Sequence, residues 1–409
     1  MTKLSLARRW RSRFIAGSIG IAMALGAPAG AQLSLFRGME ANRPAMSTGD
    51  LKRHAKVLRL TEAQTEAAKS LVASYTAEFE QASKERRDKM REINEEFQDS
   101  RDFSVMEQMG PVEEKFQKRA DELEKTLLSD LRSILTPEQD STWPKFERTR
   151  RREKSIGKGS LSGESVDLVR IVEDLELNDS ARKPLTDTIE LYEVDLDRAL
   201  DARNKVMESQ SDMFPKPGAG GSFAIDMDAI QEASKKVREA GTKVREVNQR
   251  YARTLEGLLS EDVRPKFQLA VKRQSFPQVY RESRTEAAFN AALKFDDLDA
   301  KQREAITAAR EQFVRENDVA CDKLAQAIVE DEESGSNMGF GGMMISFGED
   351  NKDTPISQAR KAKRELEKKS LDGLKSLLTE KQIEKLPKRE EREPVEVGGA
   401  RMMIQMDGR

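Results

Sequence analysis

The pentapeptide Leu135-Thr136-Pro137-Glu138-Gln139 decides how this chain folds, because near-copies of it recur elsewhere. They read LTEAQ at residues 60–64 and LTEKQ at residues 378–382. Thr is a preferred N-cap of α-helices, and a Gln three positions later completes a capping box. Pro137 suits the first helical position, and Glu138 suits the positive end of the helix dipole. The pattern therefore predicts that each copy begins a helix.

The pentapeptide also marks the ends of a longer internal repeat. The residues before the opening caps are Leu60, Leu177 and Phe295, separated by 117 and 118 positions. The residues before the closing caps are Leu135, Leu259 and Leu378, separated by 124 and 119 positions. Both ends recur at nearly one domain-sized period, which indicates duplication of a structural unit. We predict three tandem units, named repeats 1, 2 and 3, at residues 50–155, 165–280 and 285–390.

Some copies keep the cap and lose the Gln. Asn178, Ser260 and Asp296 are acceptable caps, and each is followed three positions later by a residue other than Gln or Glu. Because capping persists without the Gln, the pattern favours a structural role and argues against Gln as a catalytic group. The predicted structural caps are Thr61, Gln64, Thr136, Gln139, Asn178, Ser260, Asp296, Thr379 and Gln382.

Apolar residues within each repeat form two stripes with helical spacing. In repeat 1 one stripe runs from Leu71 to Phe97 and the other from Val112 to Leu135, with a Gly-Pro break between them. Two amphipathic helices with a short break form an antiparallel hairpin. Charged residues make up 35% of the chain and aromatic residues only 5%, as in long solvent-exposed helices and coiled coils. We therefore predict an all-α fold of three tandem antiparallel helical hairpins with flexible Gly/Met-rich tips, followed by a disordered tail at residues 391–409.

The N-terminal segment predicts export. Residues 1–31 combine a basic start, a short apolar run from Phe14 to Leu25 and an A-x-A site at Ala29 to Ala31. This segment is too short for a comfortable membrane span, and no later segment approaches the required length, so we expect no span after signal cleavage. Cys321 is the single cysteine, so no internal disulfide can form. The predicted location is periplasmic or secreted.

The charge balance narrows the class of partner. The signal segment holds 5 of the 71 basic residues and no acidic residue, which leaves 66 basic against 73 acidic residues. A mildly acidic chain of this kind argues against bulk nucleic-acid binding. The basic runs that follow the closing caps, such as Arg150 to Lys154, are interpreted as solvated helix surface, with a rim that attracts acidic partners as the alternative.

The sequence resembles the Spy/CpxP family of small periplasmic LTxxQ proteins. The resemblance rests on LRLTEAQTEAAKSLV at residues 58–72, RADELEKTLLSDLRSILTPEQ at residues 119–139 and LEKKSLDGLKSLLTEKQ at residues 366–382. It implies an all-helical, cradle-shaped, non-enzymatic protein that acts as an ATP-independent chaperone, a stress-response regulator or a metal sensor. Family members usually dimerise and carry one copy of the unit. With three copies, this chain can supply its own partner surfaces, so homo-oligomerisation stays open.

No constellation for catalysis, cofactor binding or metal binding can be assembled from the sequence. His54 is the single histidine, and its register partners Ile171 and Phe289 indicate a packed structural position. Cys321 is interpreted as a packed thiol. The segment Gly218–Gly221 lacks the following Lys-Ser/Thr of a phosphate-binding loop. We therefore expect no enzyme activity, no cofactor and no metal ligand set.

Met and Phe residues cluster in the predicted tips. Flexible thioethers adapt to varied apolar partners, so the candidate client contacts are Phe214, Phe340, Met343, Met344 and Phe347. A Met-based Cu(I) site and an inert insert are the alternatives. The sequence thus favours a chaperone or envelope stress-response protein that binds unfolded or partly folded envelope proteins. A scaffold with one dedicated envelope partner and a periplasmic metal sensor are the alternatives.

Overall fold

The computed structural model describes residues 44–211, 227–334 and 354–387, together with residues 396–397 and 400–401. The described residues are helical apart from turns and one pair of two-residue strands, which confirms the all-α prediction. The helices are α1 (Thr48–Val57), α2 (Glu62–Ser100), α3 (Met109–Ser133), α4 (Pro137–Asp140), α5 (Trp143–Ser155), α6 (Leu168–Asp174), α7 (Asp179–Arg182), α8 (Thr186–Ser211), α9 (Met227–Leu258), α10 (Arg264–Ser275), α11 (Arg284–Ala292), α12 (Ala300–Ser334), α13 (Pro355–Ser376) and α14 (Glu380–Glu384).

Short 3₁₀ turns and a strand pair complete the elements. The 3₁₀ turns are Phe103–Gln108, Ile156–Lys158 and Lys183–Leu185. Strands β1 (Glu396–Val397) and β2 (Ala400–Arg401) pair antiparallel, with Glu396 opposite Arg401. The remaining residues of the predicted tail and the predicted signal segment lie outside the described residues.

The described residues divide into two compact units. Compact unit 1 comprises residues 44–164, 183–211 and 227–251, and compact unit 2 comprises residues 165–182, 252–334, 354–387, 396–397 and 400–401. The division falls inside repeat 2, so the three sequence repeats and the two compact units are different partitions of the chain. Three tandem units remain a prediction.

Compact unit 1 is built on the hairpin of α2 and α3. The helix α2 spans 39 residues and ends at Arg101, whose φ of 55° places it in the left-handed region. The apolar stripes predicted from the sequence form the core between the two helices, and α1 and α5 close it with further apolar side chains. These core side chains include Val72, Tyr75, Phe79, Phe116, Leu123, Leu127, Leu131, Leu51, Leu58, Trp143 and Phe146. Each buried side chain of this size contributes about 1.5–3 kcal/mol.

Compact unit 1 also holds α8 and the greater part of α9. Leu196, Leu200 and Val244 are fully buried in this region. Tyr192 on α8 donates a hydrogen bond from its hydroxyl to Asn248 Oδ1 on α9 at 2.9 Å. A buried hydroxyl of this kind needs a partner, and the bond fixes the register of the two helices.

Compact unit 2 is built on the hairpin of α12 and α13. One apolar cluster near its base contains Phe289, Ile306, Phe313 and Leu374. A second cluster contains Val279, Tyr280, Cys321, Leu324 and Ile356. Two separate small cores in one long hairpin agree with the low aromatic content of the chain. No helix in the described ranges is long and apolar enough to cross a membrane.

Candidate functional site

The three LTxxQ pentapeptides each form a capping box. Thr61 Oγ1 accepts a hydrogen bond from the Gln64 backbone N–H at 3.3 Å, and Gln64 Oε1 accepts one from the Thr61 N–H at 2.9 Å. The same reciprocal bonds join Thr136 with Gln139 and Thr379 with Gln382. These bonds satisfy N–H groups that the first helical turn leaves without intrahelical partners.

The two glutamines of repeat 1 also bond to each other. Gln64 Nε2 lies 2.7 Å from Gln139 Oε1, and Gln139 Nε2 lies 2.8 Å from Gln64 Oε1. The second N–H of Gln64 donates to the carbonyl of Ile134, and that of Gln139 donates to the carbonyl of Arg59, both at 2.7 Å. We name a hydrogen-bonded pair of cap glutamines of this kind a glutamine lock, and in repeat 1 the pairing is reciprocal.

The lock explains why the motif contains Gln. An amide side chain offers two donors and two acceptor positions, and both side chains use all of them. Glu completes a capping box equally well, but its carboxylate only accepts and cannot form the reciprocal pair. The lock joins the start of α2 to the start of α4 and thereby closes the base of the hairpin. Because every donor and acceptor of the two amides is used within the protein, these glutamines have a structural role.

Compact unit 2 contains a second lock, which the sequence did not predict and in which one amide hydrogen bond joins the two glutamines instead of a reciprocal pair. Gln302 Nε2 donates to Gln382 Oε1 at 3.3 Å and to the Leu377 carbonyl at 3.1 Å. Gln382 Nε2 donates to the Asp297 carbonyl at 3.1 Å. The signal was present in Leu298-Asp299-Ala300-Lys301-Gln302, which keeps the LTxxQ spacing with Asp in place of Thr.

The structure corrects the cap predicted at Asp296. Gln302 N–H donates to Asp299 Oδ1 at 2.7 Å, and α12 begins at Ala300, so Asp299 is the cap. Six residues separate α11 from this cap, whereas three separate α1 from Thr61. The connection in repeat 3 is therefore three residues longer, and a constant register places the cap three residues too early.

Repeat 2 has no glutamine lock among its described residues. Asn178 Oδ1 accepts the Ala181 N–H at 2.9 Å at the start of α7. The cap predicted at Ser260 is wrong, because α10 begins only at Arg264 and its N-cap position, Val263, makes no side-chain capping bond. The Arg264 side chain instead donates to the carbonyls of Glu256 and Leu259, the last carbonyls around the end of α9. Ala181 and Val263 cannot form an amide pair.

The basic run of repeat 1 joins α5 to its neighbours in compact unit 1. Arg150 and Lys154 both pair with Glu124 on α3. Arg152 pairs with Glu193 on α8 at 2.7 Å, and both side chains are less than a tenth exposed. Arg151 pairs with Asp197 and Asp201 of α8. Burial raises the pKa of Glu124, but Lys154 and Arg150 outweigh it, so that pKa lies below its ordinary value. These side chains form an ionic seam between α5 and its neighbours, in which Arg150 and Arg152 are mostly buried and Lys154 is 51% exposed.

His54 is buried between α1 and α5. Its Nε2 lies 3.0 Å from Glu153 Oε2, and its ring meets the Phe146 ring edge-on at 5.1 Å. Burial raises the pKa of Glu153, but the hydrogen bonds from His54 and Arg53 outweigh it and hold that pKa below its ordinary value. Because an ionised carboxylate only accepts hydrogen bonds, Nε2 carries the proton in this contact.

Cys321 is buried in the second cluster of compact unit 2. Its thiol lies 3.4 Å from the Val279 carbonyl. Burial raises the pKa of the Cys321 thiol to about 11, with smaller contributions from nearby charged groups. A thiol in this state is a packing group at neutral pH.

The remaining predicted sites divide by location. Phe214, Phe340, Met343, Met344 and Phe347 lie outside the described residues. Within the described ranges, no group of three or more His, Cys, Asp or Glu side chains is placed to hold a metal ion.

Comparison with known proteins gives no relative. No family model matches the chain, and neither a curated protein nor a solved structure matches it.

Proposed function

We propose that the protein is an exported, non-enzymatic chaperone of the cell envelope that holds partly folded proteins without ATP. The observation that carries the proposal is the glutamine lock. The chain's most repeated motif is fully engaged in internal hydrogen bonds at hairpin bases, so it supplies rigidity. Clients then bind to the rest of the helical surface and to the hairpin tips. A rigid base with separate binding surfaces is suited to the capture of varied clients.

In this proposal the chain consists of three tandem antiparallel hairpins of the Spy/CpxP type with Gly/Met-rich tips. The support is the recurrence of a pair of cap glutamines at the base of α2/α3 and at the base of α12/α13, joined by two amide bonds in the first and by one in the second. The proposed location is the periplasm or the exterior of the cell, because residues 1–31 have the pattern of a signal peptide. A stress-response role follows if cells need such a holding activity when envelope proteins unfold.

The helical surface carries apolar side chains suited to weak capture. Leu191 is 62% exposed and Val194 is 40% exposed on α8, and Val319 is 55% exposed on α12. Charged neighbours such as Glu190 and Arg198 surround the pair on α8. Apolar side chains set among charges bind unfolded segments weakly and keep the complex in solution. The tip residues predicted from the sequence remain further candidate contacts.

Light scattering of unfolding client proteins tests the proposal. Residues 32–409 are mixed near equal molar ratio with several unrelated clients in the absence of ATP. We expect suppression of aggregation across the clients, and weaker suppression by the variant Leu191→Gln/Val194→Gln. The variant Glu190→Gln/Arg198→Gln is the matched control on the same helix and should behave like the parent protein. Absence of suppression with every client would contradict the chaperone proposal and favour a scaffold with one dedicated partner.

A deletion separates the tip from the helical surface. Removal of residues 335–348 should reduce client binding and leave the helical circular dichroism signal nearly unchanged. Unchanged client binding would reject the tip contacts. In that case the helical surface alone would carry the activity.

A further inference from the structure

The hairpin of α2 and α3 is divided by a buried polar layer. Arg86 is 9% exposed, and its Nη1 lies 3.1 Å from Glu113 Oε2 on the opposite helix. Its guanidinium also stacks over the Phe116 ring at 4.5 Å. Ser83, one turn earlier, is buried and accepts a hydrogen bond from Arg87. The main core of compact unit 1 ends at this layer, with Phe79 and Phe116 as its last members.

Beyond the layer lies a segment that we name the distal arm, residues 90–112. Ile93 and Val105 are buried there, at 4% and 7% exposure, and neither belongs to the main core. Met90, Phe97, Met106 and Met109 are half-buried apolar side chains of the arm. A hairpin end with only two buried apolar side chains among those whose burial the structure describes has low local stability and opens more readily than the locked base. Three of its half-buried side chains are flexible thioethers, which adapt to different apolar partners.

The charge of the distal arm indicates the class of partner. The segment contains six carboxylates and only two arginines. Glu92 pairs with Lys89, and Asp102 accepts the Ser104 N–H. The other four carboxylates, Glu95, Glu96, Asp99 and Glu107, are exposed and make no hydrogen bond or ion pair among the described residues. These four carboxylates, which we name the acidic rim, flank the adaptable apolar side chains along the chain and complement a segment that is both cationic and apolar.

We infer that the distal arm binds cationic amphipathic segments of polypeptide. The apolar side of such a segment packs against the Met and Phe side chains of the arm, and its Lys and Arg side chains face the acidic rim. The inference rests on the proposed function and deepens it, because it names the client class that this hairpin end selects. The lock at the base keeps α2 and α3 together while the arm adapts.

Fluorescence anisotropy of labelled model peptides tests the inference. Residues 32–409, which contain every described residue, are titrated with a Leu/Lys amphipathic peptide, its Leu/Glu counterpart and a Ser/Lys peptide without apolar residues. We expect the Leu/Lys peptide to bind and the other two to bind at least about tenfold more weakly. Equal affinity for the Leu/Glu peptide would overturn the inference.

Charge neutralisation assigns the binding to the arm. The variant Glu95→Gln/Glu96→Gln/Asp99→Asn should weaken Leu/Lys binding about tenfold, since three exposed charge contacts are lost. The control Glu80→Gln/Asp121→Asn/Asp130→Asn removes three exposed acids on the same two helices below the polar layer. Their carboxylates make no hydrogen bond or ion pair with any residue that the structure describes, and this variant should bind like the parent. Equal loss in both variants would overturn the inference, because only net charge would then matter.

The outcome separates this inference from the proposed function. Binding of the Leu/Lys peptide at the arm without suppression of client aggregation would support the inference and contradict the chaperone proposal. Suppression of aggregation that persists in the arm variant, together with unchanged peptide affinity, would support the chaperone and overturn the inference.

Discussion

The side chains of Gln64 and Gln139 show how one residue type can fix a hairpin. Each amide completes the cap of its own helix and holds the loop before the other helix. Each hydrogen bond contributes about 1 kcal/mol net, but an unpaired buried group costs more than a formed bond contributes. The lock therefore stabilises the hairpin mainly because it leaves no polar group of the two amides without a hydrogen bond.

Replacement of Gln139 by Glu tests this at the residue scale. Gln139→Glu keeps the shape of the side chain, leaves the Arg59 carbonyl without its donor and sets a carboxylate against Gln64 Oε1. We expect the free energy of unfolding of the protein to fall by about 2 kcal/mol in urea titrations at pH 7. The exposed Gln98 on α2 serves as control, because Gln98→Glu changes the same group without a lock. Equal stability of the two variants would show that capping alone is the role of Gln139.

Cys321 makes a second residue-scale prediction. With its thiol pKa raised to about 11 by burial, only about one thiolate in a thousand exists at pH 8. Because the thiolate is the nucleophile, a thiol reagent should label the native protein only as fast as local or global unfolding exposes Cys321. Labelling should accelerate steeply through the urea transition. Native labelling as fast as that of the unfolded chain would contradict the buried position.

At the scale of elements, α5 is held by charge as much as by apolar contact. Trp143 and Phe146 join the main core, but later buried residues of this helix are polar, as Thr149, Arg152 and Ser155 show. The Arg152–Glu193 pair crosses to α8 with both side chains nearly inaccessible. Burying two charges is costly, and the pair is tolerated because each charge has a close partner.

Removal of one partner of the Arg152–Glu193 pair should therefore lower the free energy of unfolding by more than the intact pair contributes to it. We expect Glu193→Ala to lower the free energy of unfolding by about 3 kcal/mol, because Arg152 keeps a buried charge. Glu190→Ala is the matched control on α8, since Glu190 is 62% exposed and lies 3.8 Å from Lys145. It should change stability by less than about 1 kcal/mol in the same urea titration. Similar losses in the two variants would mean that the α5–α8 seam is solvated.

The sequence predicted the local devices better than the contacts between elements. The spacing of Thr and Gln was enough to predict the helix caps at Thr61, Thr136 and Thr379, because a capping box involves only four consecutive residues. The partnership of Gln64 with Gln139 spans 75 positions and depends on how the hairpin closes. Likewise, Arg150 and Arg152 look like solvated charges in the sequence, because their partners lie on other helices. The longer turn before Asp299 could not be predicted from a constant repeat spacing, because loops accept insertions with little loss of stability.

At the scale of the whole molecule, the locks are unevenly distributed. Repeats 1 and 3 each close their bases with two glutamines, whereas repeat 2 has Ala181 and Val263 at the matching positions. In a locked base, opening of one cap loop also breaks the bonds that hold the other loop. In repeat 2 the Asn178 cap and the turn before α10 share no hydrogen bond among the described residues, so each opens alone. The described residues thus contain two braced bases and one unbraced base.

Hydrogen exchange followed by mass spectrometry measures this difference. We expect amides at residues 136–140 and 379–383 to exchange about tenfold more slowly than those at residues 260–264, because opening a lock costs at least one additional buried hydrogen bond. Gln382→Glu should accelerate exchange at residues 379–383 and leave residues 136–140 unchanged, since a lock acts within its own compact unit. Equal protection at all three bases would show that packing alone holds them closed. Acceleration at both locked bases in the variant would contradict a local brace and require coupling along the chain.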